Sequence, residues 1–275
     1  MTLLSIIERN PLIFVGGLLL GLIVFFELGL LIGRHRRKII GEGADEGATL
    51  VVGSVLSLLA FVLALNLSNA TSRQETRMNS GLEEVNAIGT ALMQAEAVGG
   101  AQAGPITEDL KAYLALRYRF IRAEPHSAEL AEVTAATDQL QARIWTSLEQ
   151  RVAESPTPPV TSLMNALNNA FDATTRVRLA MGYKLPAQLV LLLLVMSILG
   201  GATVGYQFGL TNRKGQLAGI VLSILWSTIV TAIIDIGSGR IWTFRTDARA
   251  YVWAMEGFDI ADQPVVTDSV RPANP

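Results

Sequence analysis

The chain has 275 residues, half of them hydrophobic, with a mean hydropathy of +0.38, and only 17% are charged against roughly 25% in soluble domains. A net charge of -2 and the lack of a basic stripe with interleaved aromatics exclude a nucleic-acid surface. The absence of cysteine removes disulfides, thiol nucleophiles, iron–sulfur and Cys–zinc sites, and the two histidines, His35 and His126, stand in unrelated places, so no metal or other cofactor is expected.

Residues 1–10 form a short tail ending at Asn10-Pro11. The run from 11 to 33 is apolar except for Glu27, and a helix of that length crosses a hydrocarbon core of about 30 Å. A basic cluster from Arg34 to Lys38 follows it. That order is the reverse of a secretory signal peptide, so the run reads as a retained span. Gly17/Gly21 and Gly29/Gly33 are each four residues apart, on one helix face, where small residues let another helix approach closely. A short Gly-rich loop leads to a second span, 48–69, which is uncharged and carries Asn66 and Asn69 near its end.

No breaker follows the second span. Met78, Leu82, Val85, Ile88, Leu92 and Ala95 continue at steps of three and four, so the helix is expected to run on to about residue 97. The insert 70–184 reads as a helical bundle. Turns are marked by Gly99-Gly100, Gly104-Pro105, Pro125 and the run Ser155-Pro156-Thr157-Pro158-Pro159, and Ser127 is placed to cap a helix. Apolar positions recur at helical spacing in each piece: Ile106 to Ile121, Leu130 to Leu148, and Val160 to Met181. Two further spans, 185–209 and 216–238, form a second hairpin, and Gly201, Gly205 and Gly209 repeat the four-residue spacing. Segment 239–260, with Ile241, Trp242, Phe244, Tyr251, Val252, Trp253 and Phe258 beside arginines, suits a membrane interface. Residues 262–275 hold three prolines and little that is apolar, so the tail 261–275 is expected to be disordered. The fold class is therefore an all-α integral membrane protein: four transmembrane helices in two hairpins, with a helical bundle inserted between spans 2 and 3.

Four spans put both termini and the insert on one side. The two short loops carry Arg34, Arg36, Arg37, Lys38, Arg213 and Lys214, so the positive-inside rule places them in the cytoplasm and the insert outside. Arg73, Arg77, Arg176, Arg178, Lys184, Arg240, Arg245 and Arg249 near span ends on the insert side oppose this, but long domains count less in the rule, so cytoplasmic short loops and an outward insert 70–184 are the expected arrangement. The expected location is the cytoplasmic (inner) membrane of a bacterium.

Several motifs in order resemble one family. They are Glu27-x-Gly29-x-x-x-Gly33-Arg34, the exit from span 2 through Glu83-Glu84-Val85-Asn86-Ala87-Ile88-Gly89-Thr90, the step Tyr113-x-x-x-Arg117, and a closing hairpin ending in Asp235-x-Gly237-x-Gly239. Over about residues 15–258 the chain resembles the bestrophin-like domain of unknown function of bacteria and plants. It carries Ile236-Gly237-Ser238-Gly239-Arg240 where that family has an Asp-Arg-Pro-like step. The resemblance implies four spans, an insert on the cytosolic side, and, by analogy with bestrophins, a pentamer passing chloride or other anions through apolar constrictions. The acidic calcium clasp of bestrophins has no counterpart in this chain.

The residues themselves leave roles open. Glu27 is either a structural acid or part of an ion or proton path, since a carboxylate within a span is costly unless it meets a partner, a pore or the protein interior. Arg34, Asn66, Asn69 and Asp235 are further intramembrane or interfacial polar candidates, with Asp235 expected to cap its helix or pair with Arg240. Arg73, Arg77, Glu83, Glu84, Asn86 and Arg117 form a polar network where the insert begins, either fixing that joint or attracting anions at a mouth. Phe25, Phe26 and Phe61 are candidates for an apolar constriction, or packing and lipid-facing residues. No nucleophile elbow, phosphate loop or zinc-protease motif occurs, so no enzyme is expected. Two functions fit: an oligomeric ion channel in the lipid bilayer, or a non-conducting sensor or scaffold whose helical domain binds a partner.

Overall fold

The computed structural model describes residues 10–40, 46–99, 103–183, 185–211, 215–240 and 245–260. The tails 1–9 and 261–275, the turn holding Arg213 and Lys214, Lys184, and the aromatics Trp242 and Phe244 lie outside the described residues. Eight helices follow in order among the described residues: α1 (Pro11–Ile40), α2 (Glu46–Val98), α3 (Ala103–Arg122), α4 (Ala128–Glu154), α5 (Pro158–Gly182), α6 (Ala187–Leu210), α7 (Gln216–Ser238) and α8 (Arg249–Gly257). The chain is an all-α membrane protein. Four helices are long and apolar enough to cross a membrane, within Leu12–Ile39, Thr49–Val98, Pro158–Leu210 and Gln216–Ser238.

The chain divides into two units, Met1–Glu75 with Tyr183–Arg245, and Thr76–Gly182 with Thr246–Pro275. In the first, α1 packs chiefly on α6. The reason is glycine. A Cβ at Gly29 would collide with the Ala202 carbonyl oxygen, and one at Gly33 with that of Tyr206. From the other side, a Cβ at Gly205 would strike the Phe26 carbonyl, and one at Gly209 that of Leu30. Both sets of contacts advance together along the chain, so α1 and α6 run parallel, backbone against backbone. Gly201 sits at a looser point, its Cβ position 3.7 Å from the Leu22 oxygen. Gly17 and Gly21 have nothing within 4 Å of a built Cβ, so they take no part in packing among the described residues. The apolar core of this unit joins Leu18, Leu22, Leu59, Val62, Val190, Leu193, Trp226, Val230 and Ile233. Helix α7 ends at Gly239, left-handed with φ 69°, whose N–H donates to the Asp235 carbonyl.

In the second unit the apolar faces predicted for α3, α4 and α5 meet in one core. Ser127 caps α4 by accepting from the Leu130 N–H at 3.1 Å. On α2 the expected buried face holds from Val85 to Ala95 and departs from expectation only before it. Met78 and Leu82 are exposed, while Arg77, Glu84, Val85, Ile88, Leu92 and Ala95 point inward. Arg77 and Glu84 are seven apart, two helical turns, so both fall on the stripe continued by Ile88. Helix α8 also differs from expectation. Tyr251 and Met255 enter this core, and Phe258 packs against it beside Gly89. Of the residues assigned to a membrane interface in α8, Tyr251 is thus a core side chain, whereas Trp253 is exposed.

Candidate functional site

The helical unit holds a buried polar centre. Glu84 on α2 and Arg117 on α3 have fully buried side chains, and Arg117 Nε donates to Glu84 Oε1 at 2.7 Å. Tyr251 on α8 donates its hydroxyl to Glu84 Oε2 in a short hydrogen bond. Both carboxylate oxygens are therefore engaged, one by a cation and one by a neutral donor. The Arg117 guanidinium lies over the Phe120 ring, 4.2 Å from its centroid. Its two terminal nitrogens are buried without a hydrogen-bond partner among the described residues.

One turn before Arg117, Tyr113 shares a 2.6 Å hydrogen bond with Thr174 Oγ1 on α5 and accepts another of 2.6 Å from Gln141 Nε2 on α4. The phenols respond to burial. Desolvation pushes the Tyr113 hydroxyl up to about 12 against the bond to Thr174. Desolvation also lifts Tyr251 well above its usual value, and the charge of Glu84 and the bond to it add to that. The sign of the linkage follows. Unfolded tyrosine loses its proton near pH 10, where the folded protein still holds it. The stabilisation is thus complete below about pH 10 and is lost as pH rises from there toward the folded values. We expect unfolding free energy, measured by denaturant titration of the whole protein, to fall by about 1.4 kcal/mol per pH unit for Tyr113 alone between about pH 10 and 12. A Tyr113→Phe variant with an unchanged slope in that range would disprove the assignment.

The other predicted network residues do not join this centre. Glu83 is exposed and reaches Arg176 at 3.5 Å. Asn86 is exposed, and its carbonyl accepts from Thr90. Arg77 is buried, with Nε donating to the Ala180 carbonyl at 3.3 Å. Arg73 is half-buried and belongs to the first unit.

Within the first unit, Glu27 and Arg34 are half-buried on α1, and their side chains make no hydrogen bond or ion pair among the described residues. Asn66 is buried, with Nδ2 bonded to the Val62 carbonyl, while the exposed Asn69 bonds the Leu65 carbonyl. Asp235 and Arg240 are both buried. The three phenylalanines separate. Phe26 is buried, packs on Gly219, and stands 6.1 Å from the Phe208 ring, so it is a packing residue inside the unit. Phe25 and Phe61 are exposed on α1 and α2. Sequence reasoning missed Tyr251, Thr174 and Gln141 at the polar centre. Only Thr174 carried a signal, as a polar residue on the apolar stripe of α5.

These units define a multi-pass, all-α membrane protein. No protein-family model matches the chain, and no curated relative does. Solved structures supply the particular fold. A bacterial bestrophin homologue from Klebsiella pneumoniae aligns with a TM-score of 0.67 and 13% identity, covering 88% of this chain and 98% of that one. A mutant of such a homologue from the same organism gives 0.64 and 14%, covering 89% and 98%. A further crystal structure, of a membrane protein, gives 0.68 and 14%, covering 90% and 98%. The chain has the bestrophin-like fold that its motifs suggest.

Proposed function

We propose that the protein assembles with copies of itself into a bestrophin-like channel that passes small ions, with anions as the favoured class, and that it is not an enzyme. The observation that carries this reading is the shared fold over about nine-tenths of the chain. Two features of the protomer support it. Glu27, in an apolar span, finds no partner among the described residues, and an intramembrane carboxylate needs a polar environment that a second copy or a water path supplies. Helix α2 exposes Ser54, Ser57, Phe61 and Ser68 at steps of three, four and seven, a mixed stripe suited to a wet surface narrowed at one aromatic. In this reading Phe61 is the constriction, the glycines of the α1–α6 seam hold each protomer rigid, and five copies surround the path by analogy with bestrophins.

The second reading is a non-conducting sensor or scaffold. It draws on α2, a single uninterrupted helix from Glu46 to Val98 that contributes residues to both units. Reconstitution separates the two. The channel reading expects chloride efflux from liposomes holding the purified oligomer, with Phe61→Ala raising the rate. Flux indistinguishable from empty liposomes at every voltage and pH, from protein verified as oligomeric, would reject it. A Glu27→Gln variant with wild-type conductance would remove that residue from the path.

A further inference from the structure

The four-helix unit contains a second set of polar groups that the channel reading does not use. Helix α7 carries Ser223, Ser227, Thr231 and Asp235 at successive four-residue steps, on a span with no other acidic or basic residue. Ser223, Ser227 and Asp235 are each at most 4% exposed. Serine and threonine hydroxyls in such helices ordinarily bond the carbonyl four residues back. Ser197 on α6 does so, donating to the Leu193 carbonyl at 2.7 Å. Ser227 Oγ and Thr231 Oγ1 do not: both are buried with no hydrogen-bond partner among the described residues. Two neighbours share that condition, the Trp226 indole Nε1 and Asn66 Oδ1, in side chains 8% and 3% exposed.

These groups lie at two successive levels of the unit, Trp226 and Ser227 at the first and Thr231 and Asn66 at the second. Leu59 on α2 and Trp226 on α7 flank the same glycine, since a Cβ at Gly200 would lie 2.6 Å from Leu59 Cδ2 and 2.9 Å from Trp226 Cη2. Helices α2 and α7 run the same way from that point, each being antiparallel to the helix before it in its hairpin. Thr231 is five residues past Trp226 and Asn66 is seven past Leu59, so both stand roughly 7 to 10 Å further along. Val62, Val230 and Ile233, from the same stretch of the two helices, belong to one apolar cluster.

We infer that bound water occupies the interior of this unit along α7, from Trp226 to Thr231 and facing Asn66. The chemistry of the groups selects the occupant. The indole N–H only donates, the amide oxygen only accepts, and the hydroxyls do either. An anion would satisfy the donors alone and a cation the acceptors alone, whereas water satisfies all four. Left dry, each group carries the full desolvation penalty of a buried polar atom, and an ordered water removes it. The water file lies within one protomer and is independent of any path between copies.

Two measurements on the full chain in nanodiscs test this. In X-ray hydroxyl-radical labelling of the unmodified protein, bound water generates radicals in place. Trp226 is expected to be oxidised severalfold faster than Phe26 and Leu59, each normalised to its intrinsic reactivity. Oxidation of Trp226 no faster than those two dry neighbours would overturn the inference. The absence of native cysteine allows the second measurement. Ser227→Cys and Thr231→Cys are treated with silver ion, and residual thiols are counted with a maleimide after denaturation. The water file predicts severalfold greater blocking at both positions than in Leu59→Cys. Equal protection in all three would reject it, and if a variant does not fold, the labelling of the unmodified protein decides alone.

Discussion

Replacing Arg117 by Met destabilises the protein by about 3–5 kcal/mol, the range for leaving one member of a buried ion pair without its partner. Arg117 and Glu84 have fully buried side chains, so neither can turn to bulk water when the other is lost. In Arg117→Met the Glu84 carboxylate keeps only the Tyr251 hydroxyl, and one hydrogen bond from a neutral donor, worth about 1.5–3 kcal/mol to a charged acceptor, does not replace a cation. The pair itself is not a large net stabiliser, because desolvating two charges offsets most of their attraction. Hence Glu84→Leu with Arg117→Met together should recover most of the loss, at the cost of the Tyr251 bond. Thermal and denaturant unfolding of the four proteins, arranged as a double-mutant cycle, checks this. Additive effects would show that the two side chains do not form the pair described.

How much of this was legible in the sequence depends on what each pattern encodes. The four spans and the helical insert were, because apolar length and helical period report burial directly. The apolar faces of α3, α4 and α5 followed the same rule. On α2 the rule held from Val85 to Ala95 but not before it: the apolar Met78 and Leu82 are exposed, whereas the charged Arg77 and Glu84 occupy the inward stripe. A buried charge looks like a surface residue until its partner is known, and Arg117 lies 33 positions away. Tyr251 was misplaced for a related reason. An aromatic, Arg-bearing segment has the same composition whether it floats at a bilayer surface or caps a bundle, and only the Glu84 acceptor distinguishes the two. The pair Gly17 and Gly21 read the same as Gly29 and Gly33, since spacing shows that a helix can be approached closely but not which helix approaches. The α7 stripe was available as a four-residue repeat of Ser223, Ser227, Thr231 and Asp235, but its meaning rests on the missing hydrogen bonds of Ser227 and Thr231, which sequence does not show.

The distinction among the glycines gives the other large effect. Substituting Gly205 by Leu should cost about 3 kcal/mol or more, the upper end of what overpacking costs. A new side chain in a core usually meets other side chains, which change rotamer. At Gly205 the obstacle is the Phe26 carbonyl, with the Leu30 backbone nitrogen at 3.1 Å from the Cβ position, and at Gly209 it is the Leu30 carbonyl with Gly33 Cα at 2.8 Å. Backbone in a continuous helix does not yield locally, so α1 and α6 must separate along the whole seam. That separation also withdraws Phe26 from Gly219 and Phe208. Even Gly205→Ala should lower the thermal midpoint of the detergent-solubilised protein, although alanine is by itself the better helix former. Gly17→Ala and Gly21→Ala form the control, since nothing lies within 4 Å of either Cβ, and their midpoints should match or exceed that of the unaltered protein. If Gly17→Leu leaves the midpoint alone but shifts the elution volume in size-exclusion chromatography, that face of α1 meets another copy. A Gly205→Ala protein as stable as the parent would show that α1 and α6 are not in backbone contact.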